Sequence, residues 1–414
     1  MKKIQGFSEE LYIFARKVKA FFYGIPFYIF RLFPIKSNKI VMWTFEGTGG
    51  YGCSPKYIAE EILKRKAQGK NDFEIFWLLE DMDKKFPSEI IRIKSTLWTR
   101  AYHLSTARFW VSNTRTFYGT KKRKGTTYFQ TWHGTIALKP IGKYRGEKLS
   151  KMAYIVSAYD SKLIDYLLAG SRWCVEMWPD GLIYDGKILK TGTPRCDVLF
   201  SGVREKHLQL RREYGISFDA KILLYAPTFR GGSQGTIRNV NTGIVSLDFC
   251  RLIKNLEGKF GGEWYVFLRL HPQLAAKMER MPIMEENNHL IDVSQRPDMS
   301  EIMAACDAMI TDYSTTIFEG FLTGIPGFLY IDDLEEYVAD RGSLMFDMSE
   351  IPFSVAYSND ELMDNILSFS SDTYKKSVAE FIAKVGIFED GYASRRIADI
   401  VEKMAEGNKR DEVF

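Results

Sequence analysis

Short apolar runs recur along this chain with room for one helix between most neighbours. The first half carries them at Lys39–Thr44, Phe73–Leu79, Ile90–Ile93, Phe109–Ser112, Tyr128–Thr131, Tyr154–Ser157 and Ile188–Thr191. The second half restarts the pattern at Lys221–Tyr225, Trp264–Leu270, His289–Val293, Ala308–Thr311 and Pro326–Ile331. Helical stretches stand between them, among them Ser54–Lys66, Trp98–Thr106, Ser161–Ala169, Arg204–Tyr214, Phe249–Phe260 and Ile317–Leu322. Strands separated by helix-length segments predict parallel sheets covered by helices on both faces. A chain of 414 residues exceeds one ordinary core, so two such domains are expected. The boundaries read as 1–36 for an N-terminal segment, 37–205 and 206–390 for two Rossmann-like domains, and 391–414 for a C-terminal helix. Two α/β halves imply a cleft between them, where a ligand sits.

Composition narrows the class. Hydrophobic content of 45% and charged content of 26% are those of a globular protein. The five cysteines are scattered, with no CxxC and no zinc spacing, so a reducing compartment fits. The basic segments are not interleaved with a nucleic-acid readout motif, so no nucleic-acid partner is expected.

The N-terminal segment is distinct. Residues 1–40 hold eight Lys or Arg against Glu9 and Glu10. Leu11, Phe14, Val18, Phe21 and Ile25 fall at helical spacing. The longest uncharged run there, Ala20 to Phe30, has 11 residues, whereas a span needs about 20. Charges continue through the segment and no small-residue cleavage site follows, which argues against a signal peptide. A basic, Phe-rich amphipathic helix lying on an anionic membrane surface is expected. The alternative is a helix packed on the protein's own core.

Chemistry concentrates at strand ends. Tyr128–Thr131 runs into Trp132-His133-Gly134-Thr135, and Trp264–Leu270 runs into His271-Pro272. Ligands of α/β proteins bind beyond the carboxyl ends of strands, which makes His133 and His271 a candidate pair. His133 reads equally as a buried imidazole held by a backbone carbonyl. His271, Arg230 and Arg269 can stabilise phosphoryl charge. Ala308–Thr311 delivers Asp312, and Ser314, Thr315 and Thr316 then open a helix. Backbone N–H groups, hydroxyls and the helix dipole there predict an anion site, with a diphosphate as guest. Glu319 reads equally as a ribose contact and as a solvated carboxylate. The loop Gly47-Thr48-Gly49-Gly50-Tyr51-Gly52 fits neither GxGxxG nor a P-loop. No DxD follows an apolar strand, so no protein-held metal site is expected, although a substrate diphosphate can carry Mg2+.

The ordered set TWHGT (131–135), GTPRCD (192–197), LLYAPTFR (223–230), LRLHP (268–272), ITDYSTTIFE (310–319) and FEDGYASRRI (388–397) resembles the CDP-glycerol glycerophosphotransferases of teichoic acid and capsule synthesis. The resemblance covers roughly residues 40–400. It implies a GT-B-like fold, with two Rossmann-type domains facing across a cleft. It implies transfer of a polyol phosphate from CDP-glycerol or CDP-ribitol to a hydroxyl of a lipid-diphosphate-linked acceptor, with release of CMP and no obligatory cofactor. His133 and His271 fall on the family's catalytic pair, and Asp312, Ser314, Thr315 and Thr316 on its donor-phosphate loop. Gly134, Thr135, Thr228, Arg230, Arg269, Pro272 and Glu319 complete the expected substrate contacts. An imidazole, ionising near pH 6.5, suits His133 as general base near neutrality. The chain departs from the usual pattern with Ser314-Thr315 in place of Ser-Ser, and with Glu319 where an Asp often stands. In length it resembles the short, primase-like members. The expected location is the cytoplasmic face of a bacterial membrane, held peripherally. Two other readings are a nucleotide-sugar glycosyltransferase of the same fold and a non-enzymatic membrane scaffold.

Overall fold

The computed structural model describes residues 2–228, 246–270 and 287–407, with side chains from Ser8 onward. Its strands form two all-parallel sheets, one in each of two units. Unit 1 comprises Met1–His133, Gly142–Asp197 and Phe388–Phe414, and unit 2 comprises Gly134–Ile141 and Val198–Ile387.

In unit 1 the strands are β1 (Lys36–Trp43), β2 (Glu74–Leu79), β3 (Ile91–Lys94), β4 (Ala107–Ser112), β5 (Thr127–Gln130), β6 (Tyr166–Leu168) and β7 (Lys187–Leu189). Their order is β3-β2-β1-β4-β5-β6-β7. The central strands are buried on both faces, which is why they read as continuous apolar runs. Successive side chains of β1 serve opposite cores. Ile40 and Met42 join Trp77, Phe109 and Phe129 under the C-terminal helix, which contributes Ile397, Ala398 and Val401. Val41 and Trp43 join Trp110 and Tyr128 on the other side, where Phe27 of the N-terminal helix inserts.

That helix, α1 (Lys2–Ile29), has two apolar faces. Ala20 and Phe27 are buried against unit 1, and Tyr23 stacks on Phe117 at 6.0 Å. Leu11, Phe14, Val18, Phe21 and Ile25 stay exposed, with Phe14 at 64% and Phe21 at 69%. Packing on the core and an outward apolar face therefore coexist on one helix. Among the described residues, no helix is long and apolar enough to cross a membrane.

In unit 2 the strands are β8 (Lys221–Ala226), β9 (Trp264–Leu268), β10 (Leu290–Asp292), β11 (Ala308–Thr311), β12 (Gly327–Tyr330) and β13 (Ser354–Ala356), in the order β10-β9-β8-β11-β12-β13. The architecture is α/β and GT-B-like, built from two Rossmann-type units. In each sheet the order reverses beside the first strand, at β1/β4 in unit 1 and β8/β11 in unit 2. Such switch points open a crevice at the strand carboxyl ends.

Three features differ from the sequence reading. Tyr154–Ser157 is not a strand but the middle of a helix, Lys151–Ser161, because Ser150 caps it by accepting from the Ala153 N–H. The cap and the continuing helix override a β-favouring run. Ser161–Ala169 is not a helix, since the chain leaves Ser161 and enters β6. The chain leaves unit 1 at Asp197 and returns at Phe388, so the helix Ala393–Ala405 is part of unit 1. Asp197 fixes that return by accepting from the Ala393 and Ser394 N–H groups at 3.0 and 2.8 Å.

Candidate active site

The unit 1 site is built where β1, β4 and β5 end. After β1 the backbone turns through Phe45 and Glu46, both left-handed, at φ 46° and 61°. Two residues following β4 hold this turn. Asn113 accepts the Phe45 N–H on Oδ1, and Thr114 accepts the Glu46 N–H on Oγ1, each at 2.9 Å. After β5, Trp132 is also left-handed, at φ 54°, and its N–H returns to Gln130 Oε1 at 3.0 Å. This reversal ends the strand and projects His133 onto the exposed surface of the unit.

The imidazole is held on one edge. His133 Nδ1 lies 2.8 Å from the Asn113 carbonyl oxygen. A carbonyl only accepts, so Nδ1 carries a proton, and in the neutral imidazole the lone pair is on Nε2. Trp132 and Phe45 flank the ring, with centroids 4.4 and 5.7 Å away. Beneath Trp132, the Arg115 guanidinium lies 5.1 Å from the indole centroid. Asp160 is buried nearby, and burial lifts its carboxyl to about 6 although Thr116 donates both its N–H and its hydroxyl to it. Burial also lowers the Arg115 pKa, against the pull of Asp160.

The unit 2 site is built where β8, β9 and β11 end. Asp312 is 3% exposed, and its carboxylate is engaged by the protein itself. It accepts the Thr228 N–H at 2.9 Å, the Thr228 hydroxyl at 3.0 Å and the Tyr313 N–H at 2.6 Å. This carboxylate braces the turn after β8. Arg269 is similarly engaged, donating to the carbonyls of Val293 and Arg296 at 3.0 and 2.7 Å, and burial lowers its pKa to about 10. Glu319 is buried and accepts the Thr135 hydroxyl at 3.4 Å, so it is not the solvated carboxylate that one reading allowed.

Ser314, Thr315 and Thr316 are half-buried, and the Thr316 hydroxyl donates to Ser314 Oγ at 2.8 Å. The helix they precede is short, Ile317–Gly320, before a 3-10 turn. Its dipole is correspondingly small, so hydroxyls and side-chain cations carry any anion affinity here. A concavity of about 430 Å3 joins Thr228, Arg269, Ser314 and Thr316 with Lys139, Tyr337 and Arg341. Of the last three, Tyr337 and Arg341 were missed in the sequence, while Lys139 stands in the basic run that follows His133. Lys139 belongs to the short segment Gly134–Ile141 of unit 2, and Arg341 ends the helix Leu334–Arg341. In sequence they are ordinary members of charged stretches. Tyr337 stacks on Tyr313 at 3.6 Å, which ties this helix to the strand end.

Arg230, His271 and Pro272 lie outside the described residues. Among the described residues, no group of three His, Cys, Asp or Glu side chains is placed to hold a metal ion.

The chain is 28% identical over 385 residues to a teichoic acid poly(glycerol phosphate) polymerase of Staphylococcus epidermidis, covering 89% of this chain and 51% of that protein. It is 27% identical over 398 residues to a teichoic acid poly(ribitol-phosphate) polymerase of Bacillus spizizenii, covering 93% and 60%. It thus spans about half to three-fifths of the length of these two relatives. A solved structure of the wall teichoic acid polymerase TagF, a histidine-to-asparagine variant soaked with CDPG, matches with a TM-score of 0.78 at 25% identity, over 98% of each chain. Residues 26–403 match the family described as CDP-glycerol:poly(glycerophosphate) glycerophosphotransferase. With that match spanning both sheets and both strand-end sites, the chain belongs to the CDP-glycerol:poly(glycerophosphate) glycerophosphotransferase family.

Proposed function

We propose that this protein transfers a polyol phosphate from a CDP-activated donor to a hydroxyl of a lipid-linked saccharide or polymer, releasing CMP, in teichoic acid or capsular polymer synthesis. The observation that carries the proposal is the tautomer of His133, protonated on Nδ1 by its bond to the Asn113 carbonyl. A base must offer a lone pair at a defined position, and this bond supplies one at Nε2. In the proposed reaction, the acceptor hydroxyl attacks the donor's β-phosphorus in line. Its proton passes to His133 Nε2, a P–O bond to the acceptor forms, and the P–O bond to CMP breaks. Ser314, Thr316, Lys139 and Arg341 hold the diphosphate, and Thr228 offers its side of the crevice under the hold of Asp312. Arg230 and His271 are assigned to phosphoryl charge on their side-chain chemistry and the family resemblance. No residue is assigned to a metal, since a diphosphate can bring its own Mg2+. Such transfers depend on positioning and electrostatics more than on covalent steps.

Glycerol phosphate is the first choice of group, from the family description. Ribitol phosphate is the second, because a relative is a poly(ribitol-phosphate) polymerase. The exposed apolar face of α1 supports peripheral attachment to the cytoplasmic leaflet, where a lipid-linked acceptor would be met.

The test supplies purified protein with radiolabelled CDP-glycerol, CDP-ribitol or a UDP-sugar and a lipid-linked acceptor. CMP release with one of the CDP-polyols is expected. His133→Ala should lower turnover roughly 10²–10⁴-fold, the range for loss of a general base, with an unchanged melting temperature. Turnover of the UDP-sugar alone would sink the reaction, and an active His133→Ala would sink the base.

A further inference from the structure

Beside the outward face of α1, unit 1 carries a second concavity, a trough of about 590 Å3. Its lining comes from three segments. Ile13 and Lys17 lie on α1, Lys143 and Leu149 lie in the stretch before the next helix, and Lys151 and Ile155 lie on that helix. Ile13 and Lys17 are four residues apart, as are Lys151 and Ile155. Each helix therefore turns one apolar and one cationic side chain to the same place. Ile13, Leu149 and Ile155 are half-buried, while the three lysines are exposed.

Two carboxylates face these lysines. Glu9 lies 3.7 Å from Lys151, and Asp180 lies 2.7 Å from Lys143. Both pairs are exposed, and exposed pairs are weak and screened. A diphosphate carries more charge and more acceptor oxygens than a single carboxylate, so exchange favours it. The surrounding stretch adds to the field, with Lys143, Arg145, Lys148 and Lys151 against Glu147.

The mixture selects an amphiphile. An inorganic anion leaves the apolar side chains uncovered, and a bare hydrocarbon leaves the lysines unmatched. The outward face of the same helix, with Phe14 and Phe21, lets a hydrocarbon leave the trough onto an apolar surface. We propose that this trough binds the lipid diphosphate of the acceptor, with hydrocarbon over Ile13, Leu149 and Ile155 and phosphates among Lys17, Lys143 and Lys151. The proposal rests on the lipid-linked acceptor of the preceding section. It differs from adsorption to a bilayer because one lipid occupies one defined site.

Calorimetry with farnesyl diphosphate, a soluble short-chain polyprenyl diphosphate, tests it in the presence of saturating CDP to occupy the nucleotide site. Farnesyl diphosphate is expected to bind roughly tenfold or more tightly than inorganic diphosphate or farnesol. Combining Lys17→Gln, Lys143→Gln and Lys151→Gln should weaken it by about tenfold, and Leu149→Trp or Ile13→Trp should remove it by filling the trough. Combining Phe14→Ser with Phe21→Ser should leave it within about twofold. Thermal melts establish that each variant is folded, and either filling variant suffices if the other is not. The proposal is overturned if farnesyl diphosphate binds no tighter than inorganic diphosphate. It is equally overturned if binding follows Phe14 and Phe21 and ignores the filling variants. Turnover is read separately. Loss of CMP release in the wild type with farnesyl diphosphate binding intact counts against the transferase reading. Absent binding with normal CMP release counts against the trough alone.

Discussion

His133 takes its chemical form from a group that no side-chain pattern reveals, the main-chain carbonyl of Asn113. The sequence offered a reactive imidazole or one held by a backbone carbonyl. The structure combines exposure of the ring with the carbonyl bond. A second residue-scale case is Lys39, 2% exposed at the start of the buried part of β1. Its ammonium donates to Thr106 Oγ1 at 2.8 Å and lies 4.6 Å from the Phe76 ring centroid. Burial, aided by Lys36, lowers its pKa to about 8. His103 beside it is pushed down to about 4 by burial and by the same lysines, so it stays neutral near pH 7. For Lys39 the unfolded chain binds more protons than the folded one between about pH 8 and 10.5. Stability therefore rises with pH across that window. Thermal melts at pH 7 and pH 10 should show the wild type gaining about 1–2 kcal/mol relative to Lys39→Met, after allowance for water reaching the amine. A constant difference would mean that the amine keeps its ordinary proton affinity. Neither Lys39 nor His103 stands out in sequence, because burial of a charged side chain is decided by what packs around it.

At the scale of elements, α1 is the informative case. Its periodicity predicted an outward apolar face, and Leu11, Phe14, Val18, Phe21 and Ile25 form one. The inward face was not distinguished, since Ala20 and Phe27 belong to the same Phe-rich composition. Docking depends on a close backbone approach at Gly119, which has φ 105°. A Cβ there would lie 2.4 Å from the Ala20 carbonyl oxygen. Gly119→Ala should cost about 3 kcal/mol from strain and displacement combined, with hydrogen exchange in α1 accelerated first. Gly69→Ala is the control. Its φ is also positive, at 72°, but nothing lies within 4 Å, so strain alone should cost about 1 kcal/mol. Equal losses in the two variants would remove the close approach from the account. The helix Lys151–Ser161 makes the complementary point. Tyr154-Ile155-Val156 favours a strand locally, and the capped helix overrules it.

At the scale of the whole molecule, the chain crosses between units twice near its later boundaries, and the final crossing completes unit 1. Ile397, Ala398, Ile400, Val401 and Met404 close the core over Ile40, Met42, Trp77 and Phe129. Arg65 reinforces the closure with ion pairs to Asp399 and Glu402, both at 2.7 Å. A chain ending at Ile387 should lose the fold of unit 1. All tryptophans except Trp264 lie in that unit, so the loss is read as a red-shifted emission and a collapsed near-UV spectrum. A truncated chain with native emission would show that the last helix is dispensable.

The sequence alone determined the α/β class, the parallel sheets, most strand positions and the order of the strand-end motifs. These are local properties, since an apolar run of strand length bounded by polar turns carries its own signal. Only the tertiary structure decided that Asp312 braces Thr228, that Thr135 meets Glu319, and that Lys139 and Arg341 share a concavity with the hydroxyl turn. It alone decided that the C-terminal helix belongs with the first sheet. Each of these contacts joins residues far apart in the chain. Such contacts follow from how whole faces pack, which no local stretch of sequence encodes.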